Sequence, residues 1–534
     1  MTITDPTPAH VPDVLETLAQ LPNDEVYTPP KLVNAMLDVL PDHVWSEPDY
    51  KWLDPATKSG VYLREIARRL MVGLAEWEPD GAKRRDHILR HMVYGAAITQ
   101  MSGEIARRSL YQTKNATGAD IKDPALADLV VHLDASDGNV PFVETEHVID
   151  PDGRQKGKAC ELCRAPVALI RKQRESFAYS FIHSTYPTEE LADVEFDVIV
   201  GNPPYQIGVE GNTRTKPLYN LFVQRAVALN PKYLLMITPS RWFTGGLGLD
   251  SFRKSMLADR RLRVMVDNPK LFDVFPQAEI KGGVSYFLWD RDHDGDCEFS
   301  TRIDGAITST MRRDLRRGKG VLVRSNEAEQ IIEKVLAKGE DSLESIVSSQ
   351  KPFGLLSNFR DFTTSPAQGS DAIRLWKRDR AEAWVLRDQV AQGADLVGDW
   401  KVLTPEAGDG HGRVPALVTG NPFVVGPNSA CTQTFLVVGT HPDAETAERA
   451  AEYLRTKFVR FLVHARKASQ HTTSDTYAFV PALDFGEDWT DEKLYERYEL
   501  TAAERAHIEE QIRDLSRTDV VEIPDADEED EDDE

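Results

Sequence analysis

Four residues, Asn202-Pro203-Pro204-Tyr205, follow directly on the apolar run Phe196-Asp197-Val198-Ile199-Val200-Gly201. Their types suit a planar amino group that must be held while its nitrogen reacts. The Asn202 side-chain carbonyl and the Pro203 backbone carbonyl are two acceptors for an exocyclic amino group. Two consecutive prolines stiffen the turn and remove competing N–H donors. Tyr205 offers a flat face on which a base can stack. An ordinary strand-to-loop turn with an edge tyrosine would use the same residues, and a position immediately after a strand weighs against it.

A second turn could hold a cofactor. Asp54-Pro55-Ala56-Thr57-Lys58-Ser59-Gly60 lies between a short strand, Trp52-Leu53-Asp54, and a helix expected over 61–74. In that helix Leu63, Ile66, Ala67, Leu70 and Leu74 share one side. Small residues in such a turn let the backbone approach a ligand, with a helix N-terminus nearby. Upstream, Tyr27-Thr28-Pro29-Pro30 opens a helix over 31–40 carrying Leu32, Val33, Met36, Leu37 and Leu40. These three segments in this order are more specific than any one of them.

The elements that must position these turns follow from periodicity. His91–Ile98 predicts a strand entering a helix that contains Ile105-Ala106-Arg107-Arg108, and 128–134 predicts a third strand around Leu129, Val130, Val131 and Leu133. Phe196–Val200 and Tyr233–Thr238 predict two more, separated by a helix with Leu218, Leu221, Phe222, Ala226 and Leu229. Strands alternating with helices predict an α/β fold with a doubly wound, mostly parallel sheet. Such sheets bind ligands beyond the carboxyl ends of their strands, where both special turns fall. From about Asn326 the texture changes to an α+β pattern. Glu327–Leu336 reads as an amphipathic helix and Ala444–Ala465 as a long helical region, and Thr501-Ala502-Ala503-Glu504 is a capping box.

On these motifs the chain resembles the S-adenosylmethionine-dependent N6-adenine DNA methyltransferases of restriction–modification systems. The class is the one ordered cofactor motif, NPPY motif, target-recognition region. The resemblance covers most of residues 25–515 and includes Met236-Ile237-Thr238-Pro239-Ser240-Arg241-Trp242-Phe243 and Lys281-Gly282-Gly283-Val284-Ser285-Tyr286-Phe287-Leu288-Trp289-Asp290. It implies a Rossmann-like methyltransferase domain over 1–324 with a Cys-containing insertion at about 135–190, a target-recognition and helical region over 325–515, and an acidic tail over 516–534. It implies that Asn202, Pro203, Pro204 and Tyr205 form the catalytic set. Asp54, Pro55, Ala56 and Gly60 would line the S-adenosylmethionine pocket, with Tyr27, Thr28 and Pro29 on its methionine side. Lys58 stands where the family pattern has Gly, and would bond the cofactor carboxylate or hold the turn. Gln100 and Glu104 are the candidates for the cofactor ribose, because Tyr94-Gly95-Ala96-Ala97 offers no acid. Asp134 would contact the cofactor's adenine or cap a loop. Double-stranded DNA is the implied substrate, with a cognate restriction nuclease or helicase subunit as a possible partner. Protein-glutamine methylation and a non-catalytic recognition subunit are the alternatives.

Cys160-Glu161-Leu162-Cys163 is a CxxC pair. A tetrahedral zinc site needs two more ligands, and His147 and His183 are the candidates. A reduced pair in a turn is the other reading. Four cysteines in 534 residues argue against a disulfide framework and for a reducing cytoplasm. No segment approaches the ~18 apolar residues of a membrane span, and the first residues show no signal-peptide pattern. No nuclease domain is expected ahead of Tyr27, and no helicase P-loop is present.

A net charge of −24 is unusual for a nucleic-acid binder, but Asp519–Glu534 alone holds 11 acids and no base. Basic clusters remain: Arg312, Arg313, Arg316, Arg317 and Lys319, then Arg455, Lys457, Arg460, Arg466 and Lys467. Each predicts a phosphate-contacting face or a solvated helix surface. Trp242, Phe243, Tyr286, Phe287, Trp289 and Phe353 are either core or a second face for a base.

Overall fold

The computed structural model describes residues 28–516, apart from 128–129, 150–158, 166–177, 210–211, 247, 271–274, 276–281, 367–370, 379, 381–382, 409–413 and 468–470. Tyr27, Lys281, the first half of the third expected strand's apolar start (128–129) and the acidic tail lie outside the described residues. The chain divides into two compact units, Met1–Arg316 and Arg317–Glu534.

The first unit is built on an eight-stranded sheet. Its strands are β1 (Trp52–Thr57), β2 (Val93–Ala97), β3 (Val198–Gly201), β6 (Tyr233–Pro239), β7 (Leu262–Asn268), β8 (Val284–Asp290), β9 (Cys297–Ile303) and β10 (Ala306–Arg313); β4 (Gln206–Val209) and β5 (Asn212–Pro217) form a separate hairpin. The order is β10-β9-β7-β8-β6-β3-β1-β2. β2, β1, β3 and β6 run parallel, and β8 is antiparallel to both β6 and β7. This is the doubly wound, mostly parallel sheet expected.

Both faces of the central strands are covered, which is why they read as continuous apolar runs. Trp52, Val198, Val200, Leu235 and Ile237 share a core with Leu63, Ile66 and Leu70 of helix Val61–Gly73 and with Leu110 of helix Gln100–Tyr111. The alternate residues Leu53, Ile199, Leu234 and Met236 are buried as well. The chain leaves β1 to add β2 on one side, then returns to add β3 on the other. A crevice opens at such a reversal, outside the carboxyl ends of the two central strands.

The third strand is not where the periodicity placed it. Residues 130–133 form no strand; Leu133 N–H bonds the Ala116 carbonyl instead. The edge of β2 is occupied by residues 139–141: Gly95 N–H donates to the Asn139 carbonyl at 2.8 Å and Ala97 N–H to the Pro141 carbonyl at 3.0 Å. A proline is tolerated there because an edge segment only has to supply carbonyls.

The second unit is α+β. Strands Ala372–Trp376, Ala383–Leu386 and Ser429–Cys431 form one sheet, and Trp400–Pro405, Phe423–Val425 and Phe435–His441 another. The long helical region breaks in two at Thr456, whose backbone is non-helical (φ −57°, ψ 147°) and whose hydroxyl caps the second helix at Val459 N–H. Thr501 and Glu504 form the expected capping box.

Most of the basic residues expected on a binding face are structural. Arg313 is buried with its guanidinium 3.8 Å from the Phe299 ring centroid. Arg316 pairs with Asp314 at 2.7 Å. Arg455 reaches Asn421 and the Pro422 carbonyl, and Lys467 the Val418 carbonyl. Arg460 is buried and donates to the carbonyls of Arg455 (3.0 Å) and Leu417 (3.2 Å), and burial lowers its pKa to about 10. Cutting Arg460 back to Met would leave two buried carbonyls short of donors, at about 1–3 kcal/mol each. Arg460→Met is therefore expected to lower the thermal midpoint by several degrees; an unchanged midpoint would return this stretch to the surface.

Candidate active site

The ends of β1 and β3 bring the two special turns together. Thr28, Asp54, Ala56, Lys58, Gly60 and Asn202 line one narrow crevice, with Ser59, Val61 and Tyr62. Asn202 is buried, and its Nδ2 donates to Thr28 Oγ1 at 3.0 Å. In this arrangement the amide nitrogen faces Thr28, and Oδ1 is directed away from it. Thr28 sits just ahead of helix Pro30–Leu37, so the helix that opens on Pro29 sets the orientation of Asn202.

Asp54 is the electrostatic centre of the crevice. Its Oδ1 accepts from Ala56 N–H at 3.1 Å, and its own carbonyl accepts from Thr57 Oγ1 at 2.9 Å. Burial raises its pKa to about 7, against the opposing pull of those bonds and of the Lys58 ammonium. A Cβ on Gly201 would lie 2.9 Å from Asp54 Oδ1, so any larger residue there would displace the carboxyl. Gly60 has φ +75°, and a Cβ on it would meet Ala106 Cα at 2.8 Å. The turn is thus pressed against helix Gln100–Tyr111, with the N-terminus of helix Val61–Gly73 opening into the crevice.

Pro55 points the other way. It lines a second narrow crevice with Ala96, Ala97, Ile98, Phe142, Val143 and the segment 178–181. Alternate residues of one turn therefore serve two neighbouring clefts, one polar and one mainly apolar.

A profile of the Eco57I restriction-modification methylases matches residues 91–275, which span β2, the Asn202–Tyr205 turn and β7. An uncharacterized adenine-specific methylase of Mycoplasma pneumoniae is 35% identical over 344 residues, covering 60% of this chain and 79% of that protein. The chain belongs to the adenine-specific methylases. Among solved structures it is similar to a modification subunit assigned to a type I restriction enzyme of Vibrio vulnificus YJ016 (16% identity, 52% of this chain, TM-score 0.32) and to the type IIL restriction-modification enzyme MmeI in complex with DNA (12%, 84%, TM-score 0.41). The chain spans 47% and 64% of those two chains.

Membership implies S-adenosylmethionine as the methyl donor of this methylase. The residues present fit such a molecule. The polar crevice combines a buried carboxyl, an ammonium and a helix N-terminus, the set that suits a zwitterionic amino-acid end.

The remaining expected site residues fall out as follows. Pro203 and Pro204 are buried and Tyr205 is half-buried. The Tyr205 ring packs on the main core, with its hydroxyl buried beside Asn202 and Tyr62, and burial raises its pKa well above the ordinary value. Pro29 is the N-cap of its helix and does not line the crevice. Asp134 is exposed in a bend. Its neighbour His132 bonds Arg90 through its carbonyl, ahead of β2, so Asp134 lies toward the amino-terminal end of that strand and away from the crevices. Phe142 and Val143, which follow the edge segment of β2, line the second crevice. Gln100 is exposed and Glu104 half-buried on helix Gln100–Tyr111, and neither lines a crevice. Trp242, Phe243, Tyr286, Phe287, Trp289 and Phe353 are all buried as core.

Tyr62 and Ser59 were not singled out by sequence reasoning, nor was the 178–181 wall. Tyr62, the second residue of its helix, donates from its hydroxyl to Met36 Sδ at 3.2 Å. A large polar residue so near a helix start was the one available signal. His147, Cys160, Cys163 and His183 do converge. Their ligand atoms all lie within 4.8 Å of one another, with Cys163 Sγ 3.2 Å from His147 Nδ1 and Cys160 Sγ 3.8 Å from His183 Nε2.

Proposed function

We propose that this methylase transfers the methyl group of S-adenosylmethionine to the N6 amino group of adenine in double-stranded DNA, as a site-specific adenine methyltransferase of a restriction–modification or defence system. The observation that carries the reading is the single crevice shared by Asp54, Lys58, Gly60, Thr28 and Asn202. That shared crevice supports reading Asn202 as the amino-group holder beside residues suited to the cofactor's amino-acid end. The second unit would recognise the target sequence, and a nuclease or helicase subunit would act with it in the cytoplasm. Among the described residues no helix is long and apolar enough to cross a membrane.

When bound, S-adenosylmethionine supplies an electrophilic methyl group. The chain's own residues do the rest. Thr28 holds the Asn202 amide, and Asn202 Oδ1 with the Pro203 carbonyl draws on the two hydrogens of the amino group. That concentrates lone-pair density on the nitrogen and aligns it for transfer. Asp54, Lys58 and the Gly60 turn would hold S-adenosylmethionine, and the two acceptors would hold the amino hydrogens, so that the nitrogen faces the methyl donor without a strong base having to deprotonate it first. The target adenine must leave the duplex stack to reach so enclosed a position. Tyr205 borders that position.

Asp54 makes cofactor binding pH-dependent. Its folded-state pKa of about 7 lies above the ordinary 3.8. Between those values the folded chain keeps a proton that the unfolded chain has lost, so this group's contribution to stability falls as pH rises through that window. A cationic ligand favours the carboxylate and must expel the proton. Affinity is therefore expected to rise with pH up to about 7, by at most ~10-fold per unit, and then level off. Calorimetry from about pH 5.5 to 7.5 checks this, and Asp54→Asn should flatten the profile. A slope kept by the variant would assign the titration elsewhere.

Labelled S-adenosylmethionine, offered with unmethylated DNA and separately with a protein lysate, tests the function itself. Label in DNA alone is expected. Label in protein alone would favour glutamine methylation. Cofactor binding with no transfer to either would favour a recognition subunit.

A further inference from the structure

We propose that His147, Cys160, Cys163 and His183 hold one zinc ion, and that this ion clamps both ends of the insertion that walls the apolar crevice. Two thiolates and two imidazoles are a donor set for tetrahedral zinc. With Zn–S of ~2.3 Å and Zn–N of ~2.0–2.1 Å, tetrahedral ligand atoms lie roughly 3.3–3.8 Å apart. The Cys163–His147 and Cys160–His183 separations of 3.2 and 3.8 Å are close to that figure, and all four ligand atoms lie within 4.8 Å of one another, so an ion would draw the outermost pairs inward by about 1 Å. The two rings stand edge to face, with centroids 5.8 Å apart, as two ligands on one small ion would. Cys160 and Cys163 are buried.

The backbone around the cluster is a built knuckle. Cys160 N–H donates to the Ala165 carbonyl at 2.8 Å and Arg164 N–H to the Cys160 carbonyl at 3.1 Å, and Arg164 has φ +61°. Glu161 N–H reaches the Val148 carbonyl, beside His147. Thr145 accepts from Ala178 N–H at 2.8 Å, and its hydroxyl lies 2.6 Å from that of Thr185. The ion therefore joins three stretches already laid side by side.

Its position gives it a task. His147 follows Phe142 and Val143 by a few residues, and His183 follows Phe181 by two. Phe142 and Val143 form one part of the apolar crevice wall, and Ala178–Phe181 another. Phe181 in turn stacks on Phe222 at 5.8 Å. Metal ligation would fix both wall segments at once, against the entropy of a long excursion of chain between them. The effect on cofactor binding rests on reading this crevice as the cofactor's; the metal site itself does not.

The experiment uses the full chain. Elemental analysis after purification with added zinc should give about one zinc per chain, falling to background in the Cys160→Ser/Cys163→Ser variant. Cobalt(II) replacing zinc in the unaltered chain should give the intense visible bands of a tetrahedral thiolate site, a readout that does not depend on the variant folding. Zinc at background, zinc retained by the double variant, or an octahedral cobalt spectrum would overturn the site. Calorimetry then compares chelator-treated and zinc-reloaded chain with S-adenosylmethionine. Affinity at least ~10-fold weaker without metal is expected from loss of the ordered wall. Equal affinities would overturn the clamp while leaving the metal. No binding by either sample would instead overturn the cofactor reading of the crevice.

Discussion

Asn202→Ala is expected to lower the single-turnover rate of methyl transfer by about 10²–10³-fold, the range seen when one preorganised polar group is removed from a reacting centre. The substitution removes one of two acceptors that place the amino nitrogen, and a misplacement of ~1 Å is enough to cost about 100-fold. It also leaves Thr28 without the amide it orients, so a loss of about 1 kcal/mol in stability is expected alongside. Cofactor affinity should change far less, because Asp54, Lys58 and the Gly60 turn remain. Rapid-quench measurements at saturating DNA and cofactor separate these effects. A rate within a few-fold of the unaltered chain would remove Asn202 from the reaction and leave it a structural link to Thr28.

The second large effect is on the cofactor turn. Gly60→Val should destabilise the first unit and abolish measurable cofactor binding. A left-handed backbone costs a residue with a side chain about 1–2 kcal/mol, and more when that side chain is branched at Cβ. Overpacking against a well-filled neighbour adds about 1–3 kcal/mol. Here the neighbour is the backbone of Ala106, 2.8 Å from the added Cβ, and it cannot swing aside as a flexible side chain could. Relief must come from moving the turn off helix Gln100–Tyr111, which displaces Asp54 and Lys58 with it. Urea unfolding and calorimetry check both halves. An unchanged midpoint would mean that the turn does not need its present conformation.

Much of the fold was legible because its central strands are buried on both faces. Residues 52–54, 196–200 and 233–238 could hardly be surface, and the turns that follow them carry unusual residues. The absence of a strand at 130–134 has a plain cause. Val130 and Val131 look like a strand, but what β2 lacks is acceptors for the Gly95 and Ala97 N–H groups, and Asn139 and Pro141 supply them. Hydrogen-bond demand on a neighbouring strand leaves no mark in local apolar pattern. The misplaced Asp134 follows from the same error.

Charge was misread for a different reason. Arg and Lys carry long apolar stems, and residue type does not say which way the charged end turns. Arg460 and Lys467 turn inward to backbone carbonyls rather than outward to phosphate. The site itself was legible in parts. Asn202 and Asp54 were visible as residues, but the bond between Asn202 and Thr28 joins positions 174 residues apart and exists only through the sheet. The CxxC pair was visible too, while its approach to His147 and His183 depended on a long excursion returning to its start. Tyr62 gave almost no signal, since a tyrosine near a helix start is commonplace.

The most direct test identifies the methylated atom. Unmethylated DNA incubated with the chain and S-adenosylmethionine is digested to nucleosides and resolved by mass spectrometry against authentic standards. N6-methyldeoxyadenosine is expected as the product, absent from the Asn202→Ala reaction run in parallel. Methyl groups found only on cytosine, or N6-methyldeoxyadenosine formed equally well by the variant, would contradict the account.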